Sequence, residues 1–180
     1  MKTRGSLVKM TLSALFLALT YVMPFLTGQI PEVGSMLCPM HIPVLLCGFL
    51  CGAPWGLAVG FVAPLSRSFL TGGFPPLFPT AIAMAFELAA YGAVAGWMYR
   101  ILPCKKGYIY VSLLAAMIVG RVVWGVAMLI CMGITGSAFT LAAFLAGAFT
   151  NAIPGIVLQI VAIPVLVMVL ECSNLLGWNK

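Results

Sequence analysis

From Tyr108 to Met132 the chain runs for 25 residues with a single charged side chain, Arg121, near the middle. A run of this length crosses a bilayer as one helix. A guanidinium at the centre of such a helix costs about 2.5–3.5 kcal/mol on insertion scales. Any fold that keeps it must turn Arg121 away from lipid, toward a partner, a cavity or a ligand.

The rest of the chain puts that run in a membrane context. It is 63% hydrophobic and only 7% charged, with a mean hydropathy of +1.18. A soluble domain carries about 25% charged residues, so this chain lacks the polar surface to cover a water-exposed globule. The pattern predicts an all-α membrane protein, a bundle of six transmembrane helices forming one domain over residues 1–180. The expected spans are about 7–26, 40–53, 55–70, 80–102, 108–132 and 138–170. The second is short for a crossing and is expected to tilt or stop inside the protein. Between the second and third, Gly52-Ala53-Pro54-Trp55-Gly56 reads as a turn, with Pro54 suited to a first helical turn. TGGFPPLFP, Thr71 to Pro79, reads as a stiff loop.

A net charge of +6 and a pI near 9.2 invite a nucleic-acid reading, but the basic residues sit mostly at segment ends, where they set topology. Lys2, Arg4 and Lys9 lie on one side; Arg100, Lys105 and Lys106 return to it after four crossings. Both termini are therefore expected to be cytoplasmic, together with the uncharged turn at 52–56. The apolar run after Lys9 lacks a cleavage pattern before Pro24 and reads as a retained first helix. The six cysteines form no C-x-x-C pair or zinc spacing and are expected to pack as small apolar groups. No metal, cofactor or catalytic motif is legible, and a lone histidine with three carboxylates offers little acid–base chemistry. Small residues recur every four positions, as in Ala14 and Ala18, Gly48 to Gly60, and Ala81 to Ala93. Such rows let helices approach closely in lipid, although the 52–56 turn keeps the glycine row from being one helix face.

Helical rise gives each intramembrane polar residue a depth. Counted from the expected outer helix ends, Glu87 lies about 10 Å deep, Arg121 about 17 Å and Asn151 about 20 Å. Boundary uncertainty is a few residues, so the three share a level although they come from three helices. That alignment predicts one site reached from outside. Two readings stand open: Glu87 neutralises Arg121 as a structural ion pair, or Arg121 binds an anionic or carbonyl group of a ligand while Glu87 orients it. Asn151 would add both a donor and an acceptor. Arg67, about 5 Å deep, either lines the mouth or snorkels to the interface. His41 opens the second segment on the same face. Tyr91 and Trp124 follow Glu87 and Arg121 by four and three residues and would wall the site. Gln159, counted about 30 Å from the expected start of its helix, reads as a packing or coupling residue.

Several runs resemble one family. Ala14-Leu-Phe-Leu-Ala18 matches an AxxxA pattern on a first helix. Cys38 to Gly52 (CPMHIPVLLCGFLCG), Pro75 to Tyr91 with Glu87, and Asn151-Ala-Ile-Pro-Gly155 are similar to the substrate-binding S components of energy-coupling factor (ECF) vitamin transporters. The resemblance implies a non-enzymatic capture subunit in a bacterial cell membrane, with an outer pocket roofed by the loops after the first and third helices. It implies docking through Ala14 and Ala18 onto a transmembrane coupling subunit that works with two ATPases. Arg67 and Arg121 less Glu87 leave one positive charge, which suits a small monoanion with hydroxyl or amide groups, and pantothenate fits. A neutral pyrimidine, stacked on Trp124 or Phe74, fits if Glu87 cancels Arg121 and Arg67 faces solvent. Outside the family, the alternatives are a membrane enzyme for lipid or prenyl substrates and an assembly protein whose ion pair only fixes helix register.

Overall fold

The computed structural model describes residues 2–26, 39–103, 107–136 and 153–172, with side chains over 5–25, 39–103, 107–136 and 153–170. These residues form six helices and no strand: α1 (Lys2–Leu26), α2 (His41–Cys51), α3 (Ala53–Leu70), α4 (Ile82–Ile101), α5 (Gly107–Ile134) and α6 (Ile153–Cys172). A wide turn, Leu77–Ala81, leads into α4. Each described helix overlaps one of the expected segments; the first part of the sixth, 138–152, lies outside the described residues. Four stretches are long and apolar enough to cross a membrane: Gly5–Phe25, Leu77–Ile101, Gly107–Ile134 and Ile153–Leu170.

The two remaining helices depart from a simple six-span bundle for different reasons. α3 has 18 residues but carries Arg67, two serines and two prolines, which dilute its apolarity. α2 has 11 residues. At 1.5 Å per residue it is about 16 Å long, roughly half the hydrocarbon thickness. Ten of its residues are buried, so it is apolar all round and enclosed by its neighbours rather than by lipid. The outer helices are one-sided. On α5, Ile109, Leu113, Met117 and Arg121 face inward, while Ile118, Val122 and Leu129 are exposed on the side suited to lipid.

α4 is the hub, packing on α3, α5 and α2. The α2–α3–α4 seam is backbone against backbone. A Cβ at Gly92 would lie 2.3 Å from the Gly56 carbonyl oxygen, one at Gly60 2.3 Å from that of Leu88, and one at Gly48 2.5 Å from that of Gly92. The glycine row thus works across the turn. Gly48 and Gly56 sit on consecutive helices that fold back on each other, and both meet Gly92. The reversal passes through Gly52, whose φ of +96° is strained for any residue with a Cβ. The Arg100 guanidinium lies beside Gly52, at the carbonyl end of α2 where a cation is favourable. This puts the 52–56 turn on the same side as the Arg100 end of α4. Of the alanine row, Ala81 in the turn before α4 and Ala85 and Ala89 on α4 are buried.

The seam makes a direct prediction. Gly92→Val drives a side chain into the backbone of α3, and overpacking of this kind costs about 1–3 kcal/mol where neighbours can move; here they are main chain. Thermal melts in detergent should show a large fall in midpoint or no folded protein, whereas Trp97→Ala, at an exposed position on the same helix, should melt close to the parent.

Candidate functional site

His41, Glu87 and Arg121, all buried, gather at the end of the bundle where α2 begins and α3 ends. Glu87 sits in the second turn of α4, on the face turned to α2 and α5, and is 2% exposed. Its Oε1 lies 3.0 Å from Nη1 of Arg121 on α5 and 3.5 Å from Nε2 of His41, the first residue of α2. Glu87 and Arg121 therefore meet, as their matched depths require. The contact to His41 is in electrostatic range but longer than a formed hydrogen bond, and neither imidazole nitrogen has a hydrogen-bond partner among the described residues. Asn151, the third residue expected at this level, lies outside the described residues.

Tyr91 stands one turn from Glu87, fully buried, with its ring edge-on to His41 at 5.0 Å and 81°. Room for that ring is made on α5: a Cβ at Gly120 would lie 2.8 Å from it. Trp124 is half-buried one turn beyond Arg121. Arg67, half-buried near the end of α3, is not in the ion-pair cluster. Its Nη1 donates to Sδ of Met40 at 3.1 Å and its guanidinium lies 5.9 Å from the Phe74 ring centroid. It reaches the cluster through Met40, the neighbour of His41, and has no carboxylate partner among the described residues.

The loop after α3 is tied to that helix end. Ser68 Oγ donates to the Pro75 carbonyl at 2.7 Å, the Gly73 amide to the Ser68 carbonyl at 2.7 Å, and the Thr71 hydroxyl bonds the Arg67 and Phe74 carbonyls. Phe74 is thereby held over Arg67, partly exposed. The loop after α1, the other expected roof element, falls mostly outside the described residues. On α1 the buried positions Ser13, Phe16 and Thr20 face the bundle, and Ala14 and Ala18 are exposed on the other side. Cys47, Cys51 and Cys131 are free and buried, and Cys47 reaches Ser13 of α1 at 3.6 Å.

Two residues carry more than the sequence indicated. Met40 supplies a thioether acceptor to Arg67, and a methionine beside a histidine has no sequence signature for that role. Gln159 is 1% exposed, and neither atom of its amide has a hydrogen-bond partner among the described residues. Leaving such a group unsatisfied costs about 1–3 kcal/mol.

The ion pair can be tested apart from any ligand. Glu87→Gln strands the Arg121 charge in the interior and should destabilise the protein by about 3–5 kcal/mol. The double variant Glu87→Gln/Arg121→Gln removes both charges and should recover most of that loss, read as thermal midpoints in detergent.

No curated protein and no solved structure matches the chain. A family model does: the ECF transporter, substrate-specific component, over residues 8–167. The matched span begins in the first turns of α1 and ends within α6, so it takes in His41, Glu87, Arg121 and every helix packed around them. The match covers most of the chain, and the chain belongs to the family of substrate-specific components of ECF transporters, membrane proteins of transport rather than enzymes.

Proposed function

We propose that this chain is the high-affinity capture subunit of an ATP-driven vitamin importer, holding a small water-soluble vitamin in an outward-facing pocket at the His41–Glu87–Arg121 end of the bundle. The single observation that carries this reading is the buried Glu87–Arg121 contact at 3.0 Å with His41 beside it. Buried ion pairs are poor sources of stability, and intramembrane charges mark ligand or ion paths. The vitamin enters past Arg67 and Phe74 and is walled by Tyr91 and Trp124, and Asn151 contributes from the segment before α6. Both termini are cytoplasmic in this reading, in a bacterial plasma membrane.

Charge sharpens the ligand. With Glu87 on Arg121, the remaining cation of the site is Arg67 at its edge. A monoanion with amide and hydroxyl groups, such as pantothenate, would place its carboxylate near Arg67 and its amide deeper. A neutral pyrimidine is the second reading. The 3.0 Å ion pair favours it, because that pair leaves no unbalanced charge at depth. Delivery follows from docking of the exposed Ala14 and Ala18 face of α1 onto a coupling subunit served by two ATPases, since small residues let another helix approach closely.

Calorimetry with a vitamin panel on the purified protein tests capture. Arg121→Ala and Asn151→Ala should each weaken binding of the active vitamin by about tenfold or more, the size of a lost hydrogen bond to a charged or amide group. Parent-like affinity in both variants would mean that the vitamin binds elsewhere. Ala14→Trp should bind as the parent does yet abolish uptake when the complete transporter is assembled; normal uptake would remove the docking face.

A further inference from the structure

On four helices an inward polar residue stands within one turn of a member of the buried apolar cluster. On α2 His41 precedes Val44. On α4 Glu87 adjoins Leu88, and on α5 Arg121 follows Met117 by four. On α6 Gln159 precedes Ile163 by four. Ile163 and Val167 share the Gln159 face of α6 at successive four-residue steps, and both are buried in the same cluster as Leu113 and Met117. α6 packs on α2 and α5, the helices that bring His41 and Arg121. Gln159 therefore borders the same buried cluster as Glu87 and Arg121, on a helix packed against those that carry His41 and Arg121.

The four residues differ in what they have left to offer. Glu87 and Arg121 satisfy each other's charge. Gln159 is 1% exposed and has a donor and an acceptor side by side on one plane, both without a partner among the described residues. Native interiors rarely leave such a group unmatched unless something else occupies the space. We infer that Gln159 reads the ligand, and that the part of the ligand reaching this depth is an uncharged edge with an adjacent donor and acceptor: a primary carboxamide, an α-hydroxy amide or an aminopyrimidine. This rests on the pocket described above and narrows its substrate class. A carboxylate at this depth would leave the amide donor satisfied and its acceptor repelled, which places any acidic group of the ligand at the Arg67 edge instead.

The test uses the full chain in detergent with three probes that carry such an edge: pantothenate, hydroxymethylpyrimidine and nicotinamide. The parent should bind at least one of them by calorimetry. Gln159→Leu should weaken that binding by about 10- to 100-fold, the range for a lost pair of buried hydrogen bonds. Its ligand-free melting midpoint should be equal to or above that of the parent, because an unmatched amide has been replaced by an apolar group of similar size. A lower ligand-free midpoint would make Gln159 a structural residue and overturn the inference, as would failure of all three probes to bind the parent. The Glu87→Gln/Arg121→Gln variant separates the two levels of the argument. If it loses binding while Gln159→Leu binds as the parent does, the pocket stands and the role of Gln159 is refuted. If neither variant changes binding, the pocket itself is misplaced and the inference falls with it.

Discussion

Glu87 is the only carboxylate among the described side chains, and it sits on the helix that packs against α2, α3 and α5. Its Oε1 faces a guanidinium from one neighbour and an imidazole from another. A charged side chain in a membrane interior must be matched or hydrated, so this one group fixes how α2, α4 and α5 can be arranged at their polar end. Tyr91 extends the constraint by one turn. Its ring fills the space that Gly120 leaves open and meets the edge of His41. Register between α4 and α5 is thus set twice, once by charge and once by shape.

Along the α2–α3–α4 seam the constraint is the close approach of main chains. Glycines on α2, α3 and α4 let main chains touch, and Arg100 closes the turn between α2 and α3. Close approach of this kind replaces the hydrophobic driving force that is missing between helices in lipid. It also explains how an 11-residue helix is tolerated: α2 is held by its neighbours and does not need to reach both interfaces.

Much of this was legible in the sequence where a boundary was well marked. The count from the expected outer ends put Glu87 and Arg121 at one level within boundary uncertainty, and the two side chains meet. For Gln159 the count starts at 138, which lies outside the described residues, and what the structure adds is its burial and its unmatched amide. The glycine row was visible, but a turn in its middle hid its use; a period of four along one chain does not reveal that two antiparallel helices will present it to a third. The Met40–Arg67 contact had no signal to find, since a thioether acceptor looks like any other apolar residue. The six segments were found from hydropathy, yet hydropathy could not tell a helix that crosses the bilayer from one sheathed in protein. α2 is the most enclosed of the six because all its faces are apolar.

The glycine seam has a mechanical consequence. Main chain meets main chain along these three helices, so α2, α3 and α4 form one close-packed block. His41 and Glu87 belong to that block, while Arg121 and Gln159 belong to α5 and α6. α5 meets that block through Gly120, against the Tyr91 ring. The polar layer is thus shared between the block and its neighbours, and any opening that admits or frees a solute there would part Glu87 from Arg121 as it proceeds.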